Sequence, residues 1–217
     1  MAITVFIADD HAVVRDGLRL VLEAENDITV IGDAANGRQA VSQVLQLRPQ
    51  VVIMDITMPE LNGIEATRQI HQSSPSAQVI ILSMHAGSEH IFQALQAGAS
   101  GYVLKESAGK EVVKAVRAVH AGRRYLSQRI SETVIDDYLH QRQVKPVEND
   151  LARLSSRERQ ILQLVAEGKP SIEIADILCL SPKTVETYRS RLMQKLGLTD
   201  LPSLVKFAIK HGLTSVE

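Results

Sequence analysis

The stretch Val51–Glu60, VVIMDITMPE, sets four consecutive apolar residues before an acid, and a proline follows the acid four positions later. A short apolar run that ends in turn residues predicts a buried β-strand, which a proline does not continue. The carboxylate of Asp55 therefore lies at the mouth of a buried strand. Its role depends on which other side chains reach the same edge of the sheet.

Further apolar runs occur before and after this strand, and amphipathic segments separate them. The predicted strands cover residues 3–8, 28–34, 51–54, 78–82 and 101–104. The predicted helices cover residues 12–25, 37–47, 62–72, 88–97 and 108–121. Because strands and helices alternate, the fold class is α/β, and we expect a five-stranded, doubly wound parallel sheet covered by helices on both faces.

The composition is that of an ordinary globular protein. The 217 residues are 45% hydrophobic and 23% charged, and they include a single cysteine, so no disulfide framework is expected. Cys179 is expected to be a small core residue. The start of the chain does not resemble a signal peptide, and no apolar run approaches the ~20 residues of a membrane span. We therefore expect a cytoplasmic protein with no membrane partner.

The chain changes character after its first half. Residues 123–150 are expected to be a linker that starts helical, with an apolar stripe formed by Ile130, Val134, Ile135 and Tyr138, and ends loose near Pro146. Residues 151–217 carry ten Lys and Arg against seven Asp and Glu, whereas the remainder carries 14 against 18. An acidic front and a mildly basic tail indicate two different tasks.

The tail predicts four short helices with tight turns, which is typical of a separate all-α helix-turn-helix domain. Ser155 or Ser156 is a candidate N-cap for the first, and Ser181 with Pro182 is the expected start of the third. Glycines at the predicted ends indicate where the helices stop: Gly168, Gly197 and Gly212.

Five polar side chains follow the predicted strands at their carboxyl ends, where parallel α/β sheets bind ligands. They are Asp9, Asp10, Asp55, Ser83 and Lys105. Three crowded carboxylates are a suitable site for Mg²⁺, and a carboxylate such as Asp55 is a possible nucleophile toward a phosphoryl group. Lys105 and Ser83 would then contact the phosphoryl oxygens. The alternative is that Asp9 or Asp10 only caps the following helix. His11 either touches the acids or only starts that helix.

The segments IADDH, VVIMDITMPELNGIEATRQI, ILSMH and QALQAGASGYVLKES resemble the receiver domain of response regulators, a flavodoxin-like fold, over residues 1–122. The resemblance implies that Asp55 accepts a phosphoryl group from a sensor histidine kinase. It implies Mg²⁺ ligands at Asp9, Asp10, Asp55 and the backbone carbonyl of Thr57. It implies switch roles for Ser83, Tyr102 and Lys105. Phosphorylation is expected to draw Ser83 and Lys105 toward the phosphoryl group and to turn Tyr102 inward.

Two other classes of α/β protein use the same strand ends. Phosphatases of the haloacid-dehalogenase type carry a second acid two residues after the nucleophile, and that position is Thr57 here. A dinucleotide-binding domain would carry G-x-G-x-x-G after its first strand, and the sequence there is ADDHAVV. The sequence therefore lacks the motif of each class.

The segment LSSRERQILQLVAEGKPSIEIADILCLSPKTVETYRSRLMQKLGLTD resembles the LuxR-type helix-turn-helix, and the whole chain resembles the NarL/FixJ family. Val185, Leu192 and Leu196 should pack inward from the third helix. The candidate DNA contacts are Lys183, Thr184, Glu186, Thr187, Arg189, Ser190 and Arg191. Among them, Arg189 and Arg191 suit phosphates, backbone amides near Thr184 offer a further phosphate contact, and Glu186 suits cytosine.

Together these resemblances imply a phosphorylation-switched transcription regulator rather than an enzyme. Its expected partners are a sensor histidine kinase, promoter DNA, a second copy of the chain after phosphorylation, and RNA polymerase as a further candidate. Phosphorylation of Asp55 would switch dimerisation, interdomain contacts, or both. Two alternatives stay open: a regulator whose tail binds another protein, and a stand-alone phosphatase.

Overall fold

The computed structural model describes residues 2–141 and 150–214. The chain divides into two compact units, Met1–Lys145 and Pro146–Glu217. The loose end of the predicted linker, with Pro146, falls largely on residues 142–149 and so lies outside the described residues. Among the residues that are described, no helix combines the length and the apolar character needed to cross a membrane.

The first unit alternates strands and helices as predicted. Its strands are β1 (Ile3–Ala8), β2 (Ile28–Ala34), β3 (Val51–Asp55), β4 (Gln78–Ser83), β5 (Gly101–Leu104) and β6 (Tyr125–Leu126). Its helices are α1 (Ala12–Glu23), α2 (Gly37–Leu47), α3 (Gly63–Ser73), α4 (Ser88–Gln96), α5 (Ala108–His120) and α6 (Gln128–Gln141).

All the strands pair in parallel, in the order β2-β1-β3-β4-β5-β6. The α/β fold class is confirmed, but the predicted count of five strands is wrong because β6 adds a sixth. This strand has only two residues, Tyr125 and Leu126, which pair with Gly101 and Tyr102 of β5. So short a segment carries no periodic pattern that predicts a strand.

Alternate residues of each strand enter two different cores, as the pleat of a β-strand requires. Phe6, Val52 and Ile81 pack on the face covered by α2, α3, α4 and α6. Val5 and Ile53 pack on the face covered by α1 and α5. Because both faces are covered, the central strands are apolar between their end residues, as in the predicted doubly wound sheet.

The segment after α5 belongs to the first unit. The Ser127 amide donates to the Tyr102 carbonyl at 3.0 Å, which continues the pairing of β6 with β5. Ile130 of α6 is fully buried in the same core as Tyr102, and Val134 is partly buried there. Ile135 is 58% exposed, so its place in the predicted apolar stripe is wrong. The side chain of Tyr138 is not among those described.

Two isoleucines on α6 provide a matched test of this docking. Ile130→Ala is expected to destabilise the first unit by about 2–4 kcal/mol because it opens a cavity in a closed core. Ile135→Ala, on the same helix but exposed, should change the free energy of unfolding by less than about 0.5 kcal/mol. Urea unfolding of the full chain measures both variants. Equal small losses would mean that α6 is not docked on the sheet.

The second unit contains the four predicted helices: α7 (Ser156–Ala166), α8 (Ser171–Leu178), α9 (Pro182–Leu196) and α10 (Leu201–Lys210). Ser155 caps α7 in a reciprocal capping box with Glu158. Ser181 accepts from the Thr184 amide and Pro182 starts α9, as predicted. Gly197 ends α9 with φ +65°, which glycine adopts at no steric cost.

These helices share a separate apolar core. Val185 and Leu192 of α9 are fully buried, and Leu196 is partly buried against them, which confirms the predicted inward face. The predicted core position of Cys179 is wrong: this residue is exposed and ends α8 in the left-handed conformation. The turn between α8 and α9, rather than the core, therefore holds the single thiol of the chain.

Candidate functional site

The structure brings the predicted strand-end residues together. Asp9 directly follows β1, Asp55 ends β3, Ser83 ends β4 and Lys105 directly follows β5. Asp9, Asp55 and Ser83 are buried, because the central strands that carry them are covered on both faces. The topology alone thus places two carboxylates, a hydroxyl and an ammonium group at one edge of the sheet.

Lys105 joins the two buried acids. Its Nζ lies 2.8 Å from Oδ2 of Asp55 and 2.7 Å from Oδ2 of Asp9. Burial acts to lower the pKa of the ammonium group, but the charges of Asp55 and Asp9 outweigh it and the net shift is upward. Lys105 is therefore cationic and points at the acid that the sequence predicts to be the nucleophile.

The surroundings of Asp55 disfavour the ionised form of its carboxyl group. Burial, followed by the charge of Asp9, raises its pKa from 3.8 to about 6, although Lys105 opposes the shift. Asp10 adds a smaller contribution in the same direction. The pocket therefore holds more negative charge than its single lysine neutralises, which is the condition under which a hard cation with oxygen ligands binds.

Asp9, Asp10, His11 and Asp55 each offer a ligand atom, and these atoms lie within 4.8 Å of one another. His11 touches the acids: its Nδ1 lies 2.7 Å from Asp10 Oδ1 and 3.2 Å from Asp9 Oδ1. It also occupies the N-cap position of α1, without a side-chain capping bond. The oxygen-rich cluster fits Mg²⁺. Thr57 lies in the turn after β3, and the role of its carbonyl stays a prediction.

Arg15 supports this pocket, and the sequence reasoning missed it. Its Nη1 donates to the Asp9 carbonyl at 2.7 Å, and its Nε donates to Asp33 at 3.0 Å. The residue thus ties α1 and β2 to the end of β1. In the sequence, the feature that could have indicated this role is an arginine one turn into the helix that follows the acid pair.

Ser83 and Tyr102 lie beside the pocket. The Ser83 hydroxyl accepts from the His85 amide at 3.0 Å. Tyr102 is fully buried, and its hydroxyl donates to the His85 carbonyl at 2.7 Å. Burial raises the pKa of Tyr102 to about 12, so the phenol is neutral. The inward position of the ring that the sequence predicts for the phosphorylated protein is the position that this structure describes.

The second candidate site is the outward face of α9. It carries all of the predicted DNA contacts: Lys183, Thr184, Glu186, Thr187, Arg189, Ser190 and Arg191. Thr184 and Arg189 are half-buried and the others are exposed. The Thr184 amide already donates to Ser181 at 3.1 Å, and the Thr187 hydroxyl donates to the Lys183 carbonyl at 2.9 Å. The Thr184 amide is therefore engaged within the helix start, and DNA contact by this face stays a prediction.

Two of these residues make contacts between helices. Ser171 of α8 donates from its hydroxyl to Glu186, and Nη1 of Arg189 donates to that hydroxyl at 3.0 Å. The same Nη1 lies 3.4 Å from Oε1 of Glu186. Ser171 was not predicted to belong to this surface, since α8 and α9 meet only in the folded domain.

A parallel α/β unit with an acid pocket, followed by a helix-turn-helix unit, defines a response regulator with a DNA-binding output domain. Comparison with protein families agrees for both units. Residues 5–117 match the response regulator receiver domain, and residues 152–208 match the LuxR family of bacterial regulatory proteins. The chain belongs to the NarL/FixJ family of two-component response regulators, which control transcription.

Relatives align along nearly the whole chain. The chain is 38% identical to the oxygen regulatory protein NreC of Staphylococcus epidermidis, over 96% of this chain and 98% of the relative. It is 39% identical to the response regulator UvrY of Escherichia coli, over 99% of this chain and 97% of the relative. The order of the two domains is thus shared with both proteins.

Solved structures are similar as well. The RcsB response regulator of Salmonella typhimurium aligns with a TM-score of 0.66 and 28% identity, over 97% of this chain and 98% of RcsB. A structure of RcsB in complex with DNA aligns with a TM-score of 0.59 and 27% identity, over 95% of this chain and 98% of that one. A LuxR-family regulator from Aurantimonas reaches a TM-score of 0.62 and 37% identity, over 64% of this chain and 99% of that one.

Proposed function

We propose that Asp55 is the phosphoacceptor of this regulator and that its phosphorylation controls DNA binding by α9. The observation that carries the proposal is the position of Asp55, which ends the central strand β3, is buried, and lies 2.8 Å from Lys105. A buried carboxylate beside a cation is suited to accept a phosphoryl group and to retain it.

The transfer forms one bond and breaks one. An oxygen of the Asp55 carboxylate bonds to phosphorus, and the bond between phosphorus and the donor nitrogen of a kinase histidine breaks. Lys105 moves its ion pair from the Asp55 carboxylate to the phosphoryl oxygens, and the Ser83 hydroxyl turns from the His85 amide toward the same group. Mg²⁺, held by Asp9, Asp10, Asp55 and the Thr57 carbonyl, would neutralise charge on the phosphoryl group.

The proposed Mg²⁺ site predicts a metal-dependent stability. At Mg²⁺ concentrations ~100 times the Kd, mass action should add about 2.7 kcal/mol to the free energy of unfolding. Asp10→Asn should lose most of this gain because it removes a carboxylate ligand. Asp16→Asn, exposed on α1 outside the pocket, is the matched control and should keep the gain. Thermal unfolding with and without Mg²⁺ measures the effect, and equal gains in both variants would contradict the site.

The route from the pocket to the tail begins at β5. This strand carries Tyr102 and leads into Lys105, and the β6–α6 segment is bonded to it through the Ser127 amide. Arg129 of α6 also pairs with Glu106, the residue after Lys105, at 2.8 Å. We propose that movement of Lys105 on phosphorylation shifts this segment. Such couplings are typically about 1–3 kcal/mol, so the output is a shift of populations.

The output itself is DNA binding by a dimer. Structures of RcsB bound to DNA, including two RcsB dimers on two parallel DNAs, support this for a protein of the same architecture. A dimer would place two copies of α9 in successive major grooves. The expected partners are therefore a sensor histidine kinase, promoter DNA and a second copy of the chain, with RNA polymerase as a candidate contact at the promoter.

Fluorescence anisotropy of a labelled duplex pool separates DNA binding from the alternative, a tail that binds another protein. The protein treated with acetyl phosphate and Mg²⁺ should bind duplexes, and its affinity should fall at least about 100-fold between about 50 and 200 mM salt. Absence of any duplex binding by protein shown to be phosphorylated would favour the protein-binding alternative.

A further inference from the structure

Ser171, Glu186 and Arg189 form a closed cluster, which we call the interhelical triad. The Ser171 hydroxyl donates to the Glu186 carboxylate and accepts from Arg189 Nη1 at 3.0 Å, while that Nη1 also faces Glu186 at 3.4 Å. Each member therefore contacts the other two. The triad joins the first residue of α8 to the middle of α9, the two helices of the helix-turn-helix.

Glu186 is an unusual residue for a surface that meets phosphates, since a carboxylate there repels DNA. Its charge is compensated within the triad by Arg189, and its oxygen Oε1 is occupied by both partners. An acid held in this way keeps only Oε2 for the amino group of cytosine, the base contact that the sequence predicts for it.

The contacts that engage Glu186 also orient the guanidinium group of Arg189. The triad uses Nη1, whereas a guanidinium group presents five N–H donors in a planar fork. Two anchors at one end fix the plane of the fork and leave Nε and Nη2 for a ligand. A fixed planar fork matches the two acceptors on the major-groove edge of guanine.

We propose that Ser171 and Glu186 are positioning residues that preset Arg189 to contact a guanine, so that the triad sets sequence selectivity. The inference rests on the proposed DNA binding by α9 and goes beyond it by naming the base and the groups that orient its reader. Glu186 acts through Arg189 and contacts no base. Loss of the triad should reduce preference for one guanine position without reducing binding to all duplexes.

Selection from a random duplex pool tests the triad, using the full chain with acetyl phosphate and Mg²⁺. The wild type should select a motif that contains a guanine. Ser171→Ala, Glu186→Gln and Arg189→Lys should each lower the preference at that same position by at least about fivefold, and the effects of Glu186→Gln and Arg189→Lys should not add in the double variant. Ser171→Thr keeps a hydroxyl and should restore the preference.

Glu173→Gln is the matched control, since Glu173 is an exposed acid of α8 that pairs with Lys169 at 2.6 Å. It removes one negative charge from the helix-turn-helix, as Glu186→Gln does, and should leave the motif intact. Far-UV circular dichroism verifies that each variant is folded.

Two results would overturn the triad alone. If Glu186 contacts a base directly, Glu186→Gln would change the preference at a cytosine position, and this change would add to the effect of Arg189→Lys. If the contacts of the triad have no role, Ser171→Ala and Glu186→Gln would leave the selected motif unchanged. If the phosphorylated wild type selects no duplex at all, the proposed DNA binding fails and the triad fails with it.

Discussion

Asp55→Asn is expected to abolish phosphorylation by acetyl phosphate in the presence of Mg²⁺. The amide keeps the shape of the side chain but has no nucleophilic oxygen that can form an acyl phosphate. Intact-protein mass spectrometry should show one added phosphoryl group on the wild type and none on the variant. Asp16→Asn, an exposed aspartate of α1, is the control and should be labelled like the wild type. Labelling of Asp55→Asn to the wild-type extent would place the phosphoacceptor elsewhere.

The same variant should remain folded, and without Mg²⁺ it should be more stable than the wild type. The pKa of Asp55 is about 6 in the folded chain against 3.8 for the free side chain, so folding disfavours its ionised form. This group therefore lowers the free energy of unfolding above pH 6. The penalty shrinks as the pH falls below 6 and is lost only below the ordinary pKa of 3.8. Asparagine removes the penalty, which we estimate at about 2–3 kcal/mol. Urea unfolding at pH 7.5 and pH 4.5 in EDTA measures the difference, which should shrink to about 1 kcal/mol at the lower pH.

Gly63→Ala has the second large expected effect. A Cβ atom at this position would lie 1.8 Å from the carbonyl oxygen of Asp55 and 2.8 Å from its carbonyl carbon. Both are backbone atoms of a buried strand end, so neither moves without displacing the pocket. We expect a loss of at least about 3 kcal/mol, or failure to fold, because overpacking against rigid backbone cannot relax.

Gly17→Ala is the matched control for this substitution. Gly17 lies inside the exposed part of α1, and a Cβ there would meet no atom within 4 Å. Alanine should stabilise the helix by about 0.5–1 kcal/mol. Urea unfolding of both variants separates the two cases. A Gly63→Ala protein as stable as the wild type would mean that α3 does not approach Asp55 as closely as the structure indicates.

The pocket could be predicted from the sequence because the parallel topology determines which residues meet at the edge of the sheet. Once the apolar runs are recognised as strands of one parallel sheet, their carboxyl ends must share an edge. Asp9, Asp55, Ser83 and Lys105 then converge without any knowledge of side-chain geometry. The helix starts could also be predicted, because they depend on neighbouring residues. The Ser155 and Ser181 side chains each accept a hydrogen bond from the backbone amide three residues ahead.

What the sequence did not reveal depends on contacts between distant segments. Strand β6 is too short for a pattern. It is held by the Tyr125 amide, which donates to the Ser100 carbonyl just before β5, and by the Ser127 amide, which donates to the Tyr102 carbonyl of β5. The apolar pattern of α6 includes both Ile130 and Ile135, but only the first faces the sheet. Cys179 has an apolar sequence context, yet the end of α8 leaves it exposed. Such outcomes are fixed by tertiary packing.

The central claim is that phosphorylation of Asp55 changes the assembly that presents α9 to DNA. Analytical ultracentrifugation with Mg²⁺, with and without acetyl phosphate, tests it most directly when the wild type and Asp55→Asn are compared. We predict a shift from monomer to dimer in the wild type alone, accompanied by tighter duplex binding. The account would be contradicted if wild-type protein with phosphorylated Asp55 showed neither a change in mass nor a change in duplex affinity.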